Sequence, residues 1–432
     1  MEDSDRFNSA ELLQLADSIQ RVFCLSDLHT DHPDNQKWLH EHMDHGNFNR
    51  DTDLIIVAGD ISHDMTDTFV KSMSILTEHA QVLFVPGNHE AWIDRKHAPK
   101  STSFDKLRQV YDVCEQMGVY TQSLLVGANS PHPLWIVPLE SWYDGTLSFR
   151  ESLCHDFQYW PWADFKRCVW EGYPPVEEDT DTELENPGQL PMGLVEHFLA
   201  KNEPLFLNNP FPNNIAVANT ANNHKEPQST GILTVSHFLP NVQSLPDWKD
   251  LDRAEFDDAW FDHGAGGMSA KFAKVAGSAL LDDQIRRLLP SPTDDDLASN
   301  KKRNIHIFGH SHRPKDFVYE GIRYIHNPLG KPRERQLYMV SPQVDFQLVW
   351  DTQSTGEVPA VTTVIRLWEE QGGGLPALER RLASVKPRGR YNRFKGSRYN
   401  NAKTKTQQPK EQQVVEQQPQ QPQANATTIP TE

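Results

Sequence analysis

Six short apolar runs, each closed by polar residues, punctuate the first three quarters of the chain: RVFCLSDLH at 21–29, DLIIVAGD at 53–60, QVLFVPGNHE at 81–90, PLWIVPLE at 133–140, GILTVSHF at 231–238 and NIHIFGH at 304–310. Continuous apolar runs bounded by turn signals predict strands buried on both faces. Between the first three lie the polar segments NQKWLHEHMDHG and TDTFVKSMSILTEHA, which supply the crossover helices that parallel strands need. The segment GSALLDDQIRRLL at 277–289 spaces its apolar residues like a surface helix. The alternation predicts an α/β fold.

The pattern loosens from about 144 to 230, where aromatics and cysteines cluster in FRESLCHDFQYWPWADFKRCVW ahead of the acidic stretch PPVEEDTDTELENPG. We expect a cap-like insertion over the carboxyl ends of the strands, where open α/β sheets place recognition elements; the simpler alternative is a satellite packing unit. A linker GGG at 372–374 precedes a basic segment with interleaved aromatics and then a Gln/Pro-rich tract. The expected organisation is one domain over 1–370, carrying the insertion at 144–230, followed by a disordered tail over 371–432. Residues 380–410 of that tail offer a surface for weak contact with RNA or an acidic partner, with a solubilising role as the plainer reading.

Composition adds limits. The chain has 432 residues, 37% of them hydrophobic, as expected for a soluble globular protein with a sizeable core. Its net charge of −18 hides an asymmetry, since residues 380–432 hold eleven Lys or Arg against three Glu. So acidic a body disfavours nucleic acid as its main partner. The first twenty residues are acidic and amphipathic, unlike a secretory signal or presequence, and no apolar stretch approaches the roughly 18 residues of a membrane span. A cytoplasmic location is expected. The four cysteines, Cys24, Cys114, Cys154 and Cys168, lack the short spacings of zinc knuckles or redox pairs, which leaves histidine, at 19 copies, as the abundant metal-capable residue.

The polar residues that close the apolar runs are Asp27 and His29, Asp60, Asn88 and His89, His237, and the pair His310 and His312 of GHSH. Carboxyl ends of strands converge on one rim of a sheet, so these side chains can meet. Imidazoles with carboxylate and amide oxygens, and no thiolate, suit divalent Mn, Fe or Zn. Asp60, directly after a glycine, is the best placed to bridge two ions. Two ions about 3.5–4 Å apart clamp the attacking and leaving oxygens of an in-line displacement and acidify a bridging water, which is the chemistry of phosphate ester hydrolysis.

The order DLH, GD, GNHE, SH, GHSH resembles that of the calcineurin-like metallophosphoesterase superfamily over roughly residues 21–315. The resemblance implies a four-layer α-β-β-α sandwich of two mixed sheets. It also implies that Asp27, His29, Asp60 and His312 hold one ion, and that Asp60, Asn88, His237 and His310 hold the other. His89 is then no ligand but the catalytic residue, facing the scissile phosphate and protonating the departing alkoxide.

The protein phosphatase branch carries GDxxDRG after the second strand; here GDISHDM puts His63 and Asp64 at the Asp and Arg positions, which argues against that subtype. Arg333, Arg335 and His263 are candidate substrate-binding residues. The expected function is therefore a dinuclear metal-dependent phosphoesterase that cleaves a small phosphomonoester or phosphodiester by attack of a metal-bridging hydroxide. The alternatives are a catalytically weak scaffold or an RNA-associated protein that uses its basic tail.

Overall fold

The computed structural model describes residues 13–94, 101–148, 157, 161–173, 190–207, 230–245, 248–250, 255–256, 268–289, 304–336, 340–354 and 356–358. The expected tail at 371–432, with its RNA-contact segment at 380–410, lies outside the described residues, as do His263 and much of the expected insertion.

The strands are β1 (Leu13–Ala16), β2 (Arg21–Leu25), β3 (Asp53–Ala58), β4 (Gln81–Val85), β5 (Ser123–Val126), β6 (Leu134–Pro138), β7 (Gly231–Val235), β8 (Trp248–Asp250), β9 (Glu255–Phe256), β10 (Asn304–Ile307), β11 (Lys315–Tyr319), β12 (Ile322–His326), β13 (Gln347–Asp351) and β14 (Gly356–Glu357). The helices are α1 (Pro33–His45), α2 (Val70–His79), α3 (Ser103–Gln116), α4 (Asp164–Arg167), α5 (Leu194–Leu207), α6 (Met268–Ala273), α7 (Ala279–Leu288) and α8 (Pro332–Gln336).

Two mixed sheets form. One runs β1-β5-β6-β7-β10-β12-β11 and the other β14-β13-β2-β3-β4; β8 and β9 pair separately as a short antiparallel ribbon. The β2-β3-β4 and β6-β7-β10-β12 sets are parallel, so their carboxyl ends share a rim within each sheet.

Period-two alternation explains why DLIIVA is buried along its whole length. Leu54, Ile56 and Ala58 join Val235, Ile305, Ile307 and Ile325 in a core between the two sheets. Ile55 and Val57 point the other way and pack with Leu39 and Met43 of α1 and Met73 and Leu76 of α2. On the outer face of the larger sheet, Tyr324 packs with Phe198 of α5 and Leu281, Ile285 and Leu288 of α7. Helices, sheet, sheet and helices thus give the four layers expected.

Local signals set the helix starts. Pro33 opens α1 at a position where its missing N–H costs nothing. Thr102 and Asp105 make a reciprocal capping box on α3.

Candidate metal centre

Backbone contacts bring the strand-end loops together. The N–H of Asp27 donates to the Gly59 carbonyl at 3.0 Å and that of His29 to the Asp60 carbonyl at 2.9 Å, while Gly309 donates to the His237 carbonyl at 2.8 Å. Glycine is required at this crossing. A Cβ on Gly59 would meet the His237 ring at 2.3 Å, and one on Gly87 would meet Asp60 Oδ1 at 2.3 Å.

Among the described residues six non-glycine residues have positive φ, and five of them are Asp27 (51°), His29 (44°), Asp60 (56°), His310 (74°) and His312 (51°). A left-handed backbone costs about 1–3 kcal/mol at a non-glycine residue and persists only where the surroundings enforce it. Its concentration here marks a functional site.

All eight strand-end residues are buried and meet in one place. Asp27, His29, Asp60 and His312 each offer a ligand atom within 4.8 Å of the others, and Asp60, His237 and His310 form a second such group. Asp60 belongs to both. Asn88 joins the second group, with Oδ1 3.2 Å from His237 Nε2 and 3.0 Å from His310 Nδ1. His29 Nε2 and His312 Nε2 face each other at 2.8 Å. Converging imidazole nitrogens beside carboxylate and amide oxygens form the donor set of a divalent transition metal, so the residues fit such an ion.

The electrostatics agree. Burial holds His29, His237 and His310 well below or below their usual pKa, with neighbouring imidazoles adding to the effect for His29 and His310, and the neutral ring is the ligating form. Burial also raises the Asp60 carboxyl, helped by the charge of Asp27 nearby. Burial opposes ionisation of Asp27 too, but His312 and His326 outweigh it and hold its pKa well below the usual range.

His89 belongs to neither of these two groups but offers a ligand atom within 4.8 Å of those of His29 and Asp31, a third cluster of metal-capable side chains. Its ring stacks on Trp92 at 3.6 Å between centroids and meets His29 edge-on at 4.5 Å, with Nε2 3.8 Å from Asp60 Oδ2. Four buried atoms without a hydrogen-bond partner gather beside it: Nδ1 of His29, His63 and His89, and Oδ1 of Asp31. Asp31 Oδ2 lies 3.6 Å from His63 Nδ1. His40, His42 and His45, on α1, make local contacts with Asp44, Trp38 and Glu41.

The candidate substrate-binding arginines lie on α8. Arg335 has a structural assignment instead: its guanidinium donates to the Leu329 and Gly330 carbonyls at 2.9 and 2.8 Å and to Asn35 Oδ1 at 2.6 Å. The Gly330 carbonyl also accepts from Asn35 Nδ2 at 2.9 Å, so Arg335 and Asn35 together tie this turn to α1. Arg333 sits half-buried on the same helix.

Several residues missed in the sequence support the site. His326 Nε2 approaches Asp27 Oδ2 at 3.1 Å and its Nδ1 faces Ser311 Oγ at 3.0 Å; it closes the apolar run GIRYIH, the same signal that marks the other ligands. Glu334 accepts from His312 Nδ1 at 2.8 Å. Glu90 accepts from the backbone N–H groups of Asp60, Ile61, Ser62 and Gly87, tying two ligand loops together, although burial raises its pKa to about 7. Asp164, in the expected insertion, bonds Asn88; a lone Asp in WPWADF gives no such signal.

Comparison with known proteins follows the same residues. The calcineurin-like phosphoesterase family model matches residues 20–174. A curated relative, the [acyl-carrier-protein] phosphodiesterase PptH of Mycobacterium tuberculosis (strain ATCC 25618 / H37Rv), is 31% identical over 132 residues, 28% of this chain and 37% of the relative. The chain therefore aligns with little more than a third of that relative's length. The crystal structure of phosphopantetheinyl hydrolase (PptH) from Mycobacterium tuberculosis superposes with a TM-score of 0.51 at 18% identity, covering 77% of this chain and 96% of that one, a likeness of fold. Residues 20–174, which supply Asp27, His29, Asp60, Asn88 and His89, are thus the part of this chain that matches the calcineurin-like phosphoesterase family.

Proposed function

We propose that the chain is a metal-dependent phosphoric ester hydrolase working with two divalent ions, Mn, Fe or Zn, and that its preferred substrate is a small phosphodiester. The observation that carries the dinuclear reading is the position of Asp60. Its Oδ1 lies 3.5 Å from His237 Nε2, in one donor group, and its Oδ2 lies 3.9 Å from His29 Nε2, in the other. One carboxylate thus faces both groups, as a bridging ligand must.

Asp27, His29, Asp60 and His312 would hold one ion and Asp60, Asn88, His237 and His310 the second. Ions bound there acidify water near neutral pH and neutralise phosphoryl oxygens. The chain supplies the rest. Burial and the charges of Lys331 and His312 hold His89 well below its usual pKa. The anionic substrate must therefore favour the protonated ring before His89, fixed by its stack on Trp92, donates a proton to the departing oxygen. The unpartnered Nδ1 of His89 offers a hydrogen bond to the phosphoryl group, with His63 beside it paired to Asp31 at 3.6 Å. Trp92, Trp162 and Phe272 pack around His89 and His310 and present an aromatic wall to an organic substituent.

Two features favour the diester. A monoester dianion calls for extra positive charge, and Asp64, Ala91 and Trp92 occupy the positions where the protein phosphatase branch carries phosphate-gripping arginines. The curated relative is itself named a phosphodiesterase. The test is metal analysis of the purified chain followed by turnover of bis-p-nitrophenyl phosphate and p-nitrophenyl phosphate with added Mn2+. Two ions per chain, faster cleavage of the diester, and loss of both metal and turnover in Asp60→Ala are expected. A folded, metal-loaded chain inert toward both esters would establish the scaffold reading instead.

A further inference from the structure

Asp164 opens α4 within the inserted segment and is buried at 2% exposure. Four donors cover its two oxygens. Asn88 Nδ2 and Trp92 Nε1 donate to Oδ1 at 2.8 and 2.6 Å; Trp162 Nε1 and Tyr143 OH donate to Oδ2 at 2.8 and 3.1 Å. None of these four groups can be exchanged for an acceptor without leaving the carboxylate facing another oxygen.

The consequence falls on Asn88. The two ends of a carboxamide are nearly isosteric, one donating and the other accepting, so packing alone does not decide which faces the metal centre. A carboxylate accepts only. With Asp164 behind it, the amide must turn its NH2 outward, which leaves Oδ1 toward His237 Nε2 and His310 Nδ1 at 3.2 and 3.0 Å. The opposite orientation would set two oxygens against each other in a buried place and aim an NH2 at the position of a cation. Through Trp92 the same carboxylate also anchors the ring on which His89 stacks.

We propose that Asp164 is a positioning residue that acts from the inserted segment to lock the Asn88 amide with its oxygen toward the His237 and His310 group. The inference rests on the two-ion reading above and makes the insertion part of the metal centre rather than a satellite.

Calorimetric titration of the metal-free full-length chain with Mn2+ tests it. Asp164→Asn presents an NH2 to at least one of the four donors and frees Asn88 to flip. The affinity of one of the two ions should fall about 10–100-fold, the usual effect of losing a partner that orients a ligand, and the other should hold. In an Asn88→Ala background the same substitution should change affinity less than twofold, because the residue through which it acts is gone.

A loss that persists undiminished in the Asn88→Ala background, or an equal loss at both ions, overturns the proposal and leaves Asp164 a purely structural residue. Should Asp164→Asn give no cooperative melt, Asp164→Glu keeps the charge but displaces the oxygens, and an unchanged affinity there overturns it equally. A wild type that binds a single ion sinks the two-ion reading alone, and Asp164 is then judged on whether that ion's affinity moves; a wild type that binds none sinks both.

Discussion

His89 is buried, yet its environment differs from that of three of the four candidate ligand histidines. His237 Nδ1 meets the Ala58 carbonyl at 2.8 Å, His310 Nε2 meets the Val275 carbonyl at 2.9 Å and His312 Nδ1 meets Glu334, the outer contacts that fix a ligand's ring. His89 has an unpartnered Nδ1, as His29 does, and differs from His29 in its π-stack on Trp92. A ring held by stacking is oriented but keeps both nitrogens for chemistry. Replacing His89 with Ala should lower kcat by about 10²–10⁴-fold, the range of a lost general acid, with metal content by elemental analysis unchanged; a loss of metal would make it a ligand. The sequence displays this division poorly. Asp27, His29, Asp60, Asn88, His237, His310 and His312 stand out because each closes an apolar run. Glu90 and Glu334 do not, because their importance comes from which backbone N–H or imidazole folding places beside them. Arg335 shows the converse: a guanidinium reads as a phosphate grip in the sequence, while the fold sets it against the Leu329 and Gly330 carbonyls and Asn35 Oδ1.

At the scale of elements, the centre is a property of loops that leave parallel strands and turn sharply. Five candidate ligands with left-handed backbones and three close-packed glycines, Gly59, Gly87 and Gly309, follow from that turn. Gly87 isolates the steric part, since its backbone is not left-handed. Its added Cβ would meet Asp60 Oδ1 at 2.3 Å and His237 Cε1 at 2.8 Å. Gly87→Ala should therefore cost about 1–3 kcal/mol of stability, as overpacking does, and weaken metal uptake and turnover at least tenfold; wild-type metal content with wild-type turnover would show that Asp60 is not held there. All six apolar runs of the sequence became strands, because each is continuous, largely buried and closed by polar residues that mark its end. The strands that escaped notice are β1, β5, β8, β9, β11, β12, β13 and β14. The four residues of β1 and β5 are too few to declare a period. β13 breaks its pairing with β2 at a bulge between Leu348 and Trp350, which blurs its alternation.

Charge at the scale of the whole molecule links the centre to pH. Burial alone would discharge His312, but Glu334 and Asp27 beside it raise its pKa from 6.5 to about 9. In the metal-free protein the folded state holds a proton that the unfolded chain releases. Its contribution to stability is complete below about pH 6.5 and fades as pH climbs through about 9. An ion must displace that proton, so Mn2+ affinity at the Asp27, His29, Asp60 and His312 group should strengthen about tenfold per pH unit between 6.5 and 8.5. Melting in chelator should fall over the same rise in pH. An affinity indifferent to pH would show His312 already neutral. No helix among the described residues is long and apolar enough to cross a membrane.

The pairing of β2 with β13 has a consequence for biosynthesis. The first ligand loop leaves β2, whose antiparallel neighbour arrives only with Gln347–Asp351, and His29 waits for His312, 283 residues downstream. At roughly 5–20 residues per second of translation, the nascent chain carries an open β2 edge and scattered, metal-hungry histidines for about 15–60 seconds. Assembly of the centre therefore waits until late in translation, and the interval before β13 emerges is when a chaperone would find its binding site and a stray imidazole-seeking ion its chance to misload.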